Sequence, residues 1–175
     1  MCQEPSKEVM EGIGIGIDLG GTRIKGAAFE MSSGQLLHEE TVPTRDGESV
    51  GGLPAFVDEV RGLVNLFETR ASRTSAVIGL SAPGLVNGAA SRIVAMPGRM
   101  EGLEGLDWPE AIGRPVAVLN DAHAALMGEI WQGAAAGVQD VILLTLGTGV
   151  GGAIVTGGRS VSYTHIRAHE TESNL

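Results

Sequence analysis

One cysteine, Cys2, is all that this 175-residue chain holds, so neither a disulfide framework nor an internal zinc cluster of cysteines can form. Aromatic side chains are scarce at 3%, and the core must therefore rest on Val, Leu, Ile and Ala. Basic residues are in deficit: 12 Lys and Arg stand against 21 Asp and Glu, scattered along the chain, for a net charge of -9. A nucleic-acid partner calls for a basic footprint, so this balance argues against one and leaves small molecules open. No run approaches the ~18 apolar residues of a membrane helix. The polar opening Met1 to Glu8 lacks the apolar stretch of a secretory signal. These absences lead us to expect a cytoplasmic protein with no membrane partner. What is present is glycine, 27 residues of it, with 43% hydrophobic and 19% charged residues. That is a globular composition with many tight turns, and the length fits one domain or parts of two.

The most informative segment runs from Ile15 to Phe29. An apolar run meets Asp18, passes through Gly20-Gly21-Thr22 and resumes as a second run that carries Lys25. It reads as strand, tight turn, strand, and the turn exposes backbone N–H groups beside a hydroxyl and a carboxylate. Such a turn can hold a phosphate, with Asp18 facing a magnesium ion on it. A plain hairpin with a solvated charge at the strand end is the competing reading.

Gln35 to Val42 reads as a third antiparallel strand. From Leu53 to Arg70 the residues Leu53, Phe56, Val57, Val60, Leu63, Val64 and Phe67 fall on one helical face. Ala76 to Leu80 is a short buried strand, Asp107 to Ile112 a short helix and Pro115 to Leu119 a further strand. Asn120 or Asp121 caps a helix that runs to about Ala135. Val141 to Leu146 and Ala153 to Thr156 complete a second hairpin. This order implies a mixed sheet with helices against it, an α/β fold.

Two further segments carry chemistry. In Asn120-Asp121-Ala122-His123, a strand delivers an amide and a carboxylate to a helix N-terminus. Asp121 there can accept a proton from a hydroxyl that attacks phosphorus, with Asn120 placing that hydroxyl. Simple helix capping is the alternative for both, and His123 reads as an ordinary helix residue. The second segment, Gly147-Thr148-Gly149-Val150-Gly151-Gly152, formally satisfies Gly-x-Gly-x-x-Gly. A dinucleotide fold needs a helix after those glycines. The strand-like Ala153-Ile154-Val155-Thr156 follows instead, so we read a hairpin turn whose N–H groups and Thr148 hydroxyl face phosphates, or a bare glycine hairpin.

Asp-x-Gly-Gly-Thr-x-x-Lys at Asp18 to Lys25, Asn-Asp-Ala-x-Ala-Ala-x-x-Gly-Glu at Asn120 to Glu129, and the Gly147 to Gly152 cluster resemble, in that order, three motifs of the ROK family (repressors, open reading frames and sugar kinases). The resemblance covers about residues 12–159. It implies the ribonuclease H-like, actin-like ATPase fold, with a first lobe over residues 12–119 and the start of a truncated second lobe over 120–160. It further implies transfer of the γ-phosphate of ATP, with Mg²⁺, to a hydroxyl (the 6-hydroxyl by analogy) of a hexose or N-acetylhexosamine. Asp121 becomes the catalytic base. Asp18, Gly20, Gly21, Thr22, Lys25, Gly147, Thr148, Gly149, Gly151 and Gly152 become the nucleotide site, Asp18 orienting the metal through water. Gly84 of the Ser81-Ala82-Pro83-Gly84 loop lines the sugar pocket with Asn120 and Asp121. The partners implied are a sugar and ATP, with a homo-oligomeric parent as an option.

Two departures qualify the resemblance. Family glucokinases carry Asn-Leu-Pro-Gly-Trp where this chain has Ala95-Met96-Pro97-Gly98-Arg99, which puts glucose itself in doubt. The Gly-His element, the cysteine-rich zinc site and the adenosine-binding helices of the family have no counterpart here. From about Val161 the sequence resembles translated sequencing adapter, so residues 161–175 are expected to be non-native. His165 and His169 within it have no companion ligands. We therefore expect the 175-residue chain to be an inactive fragment, with strands Val141 to Thr156 short of sheet partners. Two other classes stay open: a sugar-sensing repressor, disfavoured by the short stretch before the first strand and by the net charge of -9, and a non-catalytic actin-like ATP-binding module.

Overall fold

The computed structural model describes residues 12–96, 100–146 and 150–161. It forms two compact units, one up to Ala124 and one from Ala125 onward.

The first unit is built on three antiparallel strands, β1 (Ile13–Leu19), β2 (Arg23–Glu30) and β3 (Leu36–Pro43). Strand alternation decides the faces. Ile13, Ile15, Ile17 and Leu19 are buried, while Gly16 and Asp18 project to the opposite, open face. β4 (Ser49–Val50) and β5 (Leu53–Pro54) make a small hairpin that feeds helix α1 (Ala55–Ala71). The helix buries Phe56, Val57, Val60, Leu63, Val64 and Phe67 against the sheet, the face its periodicity indicated. Each such side chain contributes about 1.5–3 kcal/mol relative to exposure. Leu53, expected on that face, lies half-buried in β5. Phe67 comes so near β2 that a Cβ at Gly26 would sit 2.7 Å from its ring.

β6 (Ser75–Ala82) follows and pairs parallel to β1. β7 (Leu85–Val86) and β8 (Ile93–Ala95) form a further hairpin that the sequence reading did not contain. Asp107 caps α2 (Trp108–Ile112) by accepting from the Glu110 N–H at 3.1 Å, and Trp108 is fully buried with its ring 6.1 Å from that of Phe56. β9 (Ala117–Asn120) joins parallel to β6, completing the order β3-β2-β1-β6-β9.

Helix α3 (Asp121–Gln132) runs across the boundary between the units. It stops three residues short of the expected Ala135. The Gly133 and Ala135 N–H groups both donate to the Glu129 carbonyl, and Ala134 donates to its carboxylate, which folds the chain back. The second unit continues with β10 (Val141–Leu146), β11 (Val150–Thr156) and β12 (Arg159–Ser160), an antiparallel sheet with β10 at one edge. On β10 the alternate residues Ile142, Leu144 and Leu146 are 69%, 67% and 82% exposed. Among the described residues no helix is long and apolar enough to cross a membrane.

Candidate functional site

The turn between β1 and β2 is held from inside. Gly20 donates its N–H to the Arg23 carbonyl at 3.1 Å, and a Cβ at Gly20 would lie 2.9 Å from that same oxygen. Thr44, fully buried, then ties the turn from below. Its hydroxyl donates to the Gly20 carbonyl at 2.6 Å and its N–H to the Thr22 carbonyl at 3.1 Å. Gly20's amide is thus committed to the turn itself. The Gly21 and Thr22 amides donate to no described residue and are the two left for an anion.

Asp18 sits one step back, on the open face at the end of β1. It pairs across the antiparallel ladder with Lys25 and across the parallel ladder with Ser81, so the three lie in one row over three strands. The Ser81 hydroxyl donates to Asp18 Oδ1 at 2.8 Å. Asp18 and Lys25 are exposed, and Lys25 makes no ion pair among the described residues. A cleft of about 680 Å³ lies over this face, lined by Asp18, Lys25, Thr41, Ser81 and Leu119 above Gly16 and Gly79. No atom lies within 4 Å of where a Cβ at either glycine would stand, so the glycines keep the floor open. The Gly20–Thr22 turn, Asn120 and Asp121 are outside that lining.

No group of three or more His, Cys, Asp or Glu among the described residues could cage a metal. A single carboxylate with one oxygen uncommitted suits a magnesium ion that arrives on phosphates and keeps most of its waters.

Asn120 pairs with Ala82 at the end of β9, beside the Pro83-Gly84 loop. Its amide is engaged on both sides: Oδ1 accepts from the Ala122 N–H at 3.0 Å, and Nδ2 donates to the Gly84 carbonyl at 3.0 Å. Asp121 Oδ1 accepts from the same Ala122 N–H at 2.7 Å, while the side chain stays exposed at the start of α3. The capping role of Asn120 is therefore real, and it doubles as a tie to the loop. Gly84 has φ +108°, and a Cβ there would lie 2.6 Å from the Ala95 carbonyl oxygen, so only glycine fits. Of the Ala95 to Arg99 run, Pro97, Gly98 and Arg99 lie outside the described residues.

Gly147, Thr148 and Gly149 likewise lie outside the described residues. Gly151 and Gly152 do not belong to a turn, as expected, but to β11, paired with Thr145 and Leu144. Packing accounts for both: a Cβ at Gly151 would meet Thr145 Oγ1 at 2.5 Å, and one at Gly152 the Leu143 carbonyl oxygen at 3.1 Å. Ser81, expected to open the loop after a strand that ends at Leu80, lies instead within β6, which runs to Ala82, and neither Ser81 nor Thr44 has a site role in the sequence reading. Their only signal is a hydroxyl on or beside a strand, and its meaning depends on which strand lies alongside.

Residues 14–165 match the ROK family profile. The chain belongs to the ROK family. It is 34% identical over 173 residues to the glucokinase of Streptomyces coelicolor, an alignment that covers 89% of this chain and 50% of that protein. It is 33% identical over 157 residues to the beta-glucoside kinase of Listeria innocua, covering 87% and 50%. Among solved structures, the ROK family glucokinase from Streptomyces griseus in complex with glucose and AMPPNP superposes with a TM-score of 0.69 at 31% identity, over 90% of this chain and 51% of that one. The chain spans about half the length of the curated relatives it matches. Its α/β architecture, with the mixed five-stranded sheet, is the actin-like ATPase fold of ROK sugar kinases.

Proposed function

We propose that this ROK chain supplies the phosphate turn, the metal-facing carboxylate and the catalytic base of an ATP-dependent sugar kinase. The observation that carries the reading is the placement of Asp121. An exposed carboxylate opens α3 at the C-terminal edge of the parallel strands, where α/β sheets bind their ligands. In this reading residues 12–119 form the first lobe and 120–160 open the second.

Asp121 accepts the proton of the attacking hydroxyl as its oxygen bonds to the γ-phosphorus and the bond from that phosphorus to the bridging oxygen breaks, with ADP as the leaving group. Asn120 holds the Pro83-Gly84 loop against the start of α3, which fixes one wall of the sugar pocket beside the base. The Gly21 and Thr22 amides receive phosphate oxygens, and Lys25 adds positive charge in the same row as Asp18. Asp18 is the residue that would hold Mg²⁺ with the nucleotide, through water, and the metal would supply electrostatic stabilisation of the transferring group. The kinase names of the relatives support a hexose or an N-acetylated or glycosylated derivative as acceptor. Ala95 in place of the family asparagine favours an acceptor other than free glucose.

The test is Asp121→Ala in the full-length protein, assayed for ADP release over a panel of hexoses, N-acetylhexosamines and β-glucosides. Turnover on the best acceptor is expected to fall by ~10²–10⁴-fold. A loss below about threefold removes Asp121 from the role of base, since general-base catalysis by a placed side chain is worth far more.

A further inference from the structure

Asp18 carries no support from its own strand: it projects from β1 onto the open face of the sheet and is exposed. A carboxylate so placed turns freely unless something holds it, and every orientation lost on binding a ligand weakens that binding. The structure provides one hold. Ser81, half-buried at the matching position of β6, donates its hydroxyl to Asp18 Oδ1 at 2.8 Å, and among the described residues Oδ2 makes no hydrogen bond. We propose that Ser81 is a positioning residue that fixes the Asp18 carboxylate so that its second oxygen presents to the hydration shell of the nucleotide's magnesium.

The geometry is rigid for a reason. β1 and β6 are interior strands of the five-stranded sheet, so their parallel register is clamped on both sides. The neighbours Ile17, Leu80 and Ala82 are buried, which prevents slippage of either strand. The donor chemistry fits as well. A serine hydroxyl orients a carboxylate without cancelling its charge, whereas a lysine or arginine in that place would neutralise the group that the metal requires. Lys25, on the other side of Asp18 in the ladder, is the nearest cation in register and makes no ion pair with it.

This proposal rests on the nucleotide reading of Asp18, and equilibrium binding separates the two. ADP is titrated calorimetrically into the full-length protein with Mg²⁺ and again with EDTA, and the ratio of the two affinities is the readout. Asp18→Asn should abolish most of the gain that Mg²⁺ confers. Ser81→Ala should cut that gain by about 3–10-fold and leave ADP affinity in EDTA unchanged, while Ser81→Thr, which retains the hydroxyl, should restore it to within about twofold. A Ser81→Ala protein with the wild-type ratio overturns the proposal alone, provided that Asp18→Asn lowers it. Equal loss with and without Mg²⁺ also overturns it, since that is the signature of a merely structural serine. If neither variant changes the ratio, the reading of Asp18 falls and the proposal falls with it.

Discussion

The chain contains two hairpins of the same local design, an apolar strand, a glycine-rich turn and a returning strand, and they end in opposite circumstances. In β1 five of the seven residues are buried, because β2 and β6 flank the strand and α1 covers one face. In β10 none is buried: the strand has β11 on one side only, and its alternate residues Ile142, Leu144 and Leu146 face outward. Gly20 to Thr22 is pinned by the buried Thr44 from a third strand end, an anchor that lies outside the hairpin itself. Local pattern thus specifies an apolar hairpin equally well in both places, and the tertiary partners decide how much of its strands is buried.

The largest expected consequence is in backbone protection. Amide exchange of β1 should require opening of the central sheet, whereas β10 should exchange through local separation of a three-stranded sheet. Hydrogen exchange followed by mass spectrometry should show β1 amides at least about 10³-fold slower than those of β10. Equal protection would break the comparison. A smaller effect is expected from one methyl group. Gly26→Ala places a Cβ 2.7 Å from the fully buried Phe67 ring and should destabilise the first unit by about 1–3 kcal/mol in urea unfolding. Gly152→Ala should cost less, within about 1 kcal/mol, because its Cβ would meet the Leu143 carbonyl oxygen at 3.1 Å and the 67% exposed Leu144 at 3.3 Å, contacts that a small shift relieves.

Much of this was legible in the sequence, and the failures have a common cause. The α1 face, the β1–β2 hairpin and the strand expected over Pro115 to Leu119, found as Ala117–Asn120, all rest on patterns that a short window contains. The two-residue strands of β4, β5 and β7 are too short to show a period, and they exist only through pairing. The end of α3 was misplaced because the alanines after Gly133 favour helix, whereas the Glu129 carbonyl and carboxylate captured their amides. Gly151 and Gly152 looked like turn residues until register showed them opposite Thr145 and Leu144. Asn120 reads from the sequence as either a cap or a ligand; its Oδ1 caps α3, while its Nδ2 holds the Gly84 carbonyl, a tie that neither reading contains. Ser81 and Thr44 needed the neighbouring strand to be known, which no local reading supplies.

The same contrast extends to charge. Glu68 in the first unit and Asp140 in the second each bridge two segments of the chain, and both are held below the ordinary carboxylate range for unlike reasons. Burial works against the ionised form of Glu68, but the Ser75 N–H and hydroxyl, each at 2.7 Å, and the Arg114 guanidinium at 2.6 Å outweigh it. These bonds lock the end of α1 to the start of β6 and to the approach to β9. Asp140 is lowered first by the Thr156 hydroxyl at 2.7 Å and then by the Gly157 N–H at 2.9 Å, at an exposed position. A depressed folded-state pKa means that the contribution to stability is complete above the unfolded value, about 4.3 for glutamate, and is lost as pH falls through the folded value. Glu68→Gln should therefore lower stability at pH 7 by about 1–2 kcal/mol and flatten its decline in the acid range. Asp140→Asn should leave the cooperative unfolding of the first unit unchanged at every pH, because its partners are solvated and belong to the second unit. Urea unfolding between pH 3 and 7 checks both. A Glu68→Gln curve that parallels the wild type would show that the solvated and the enclosed carboxylate contribute alike, and that packing around Ser75 adds nothing to the charge it surrounds.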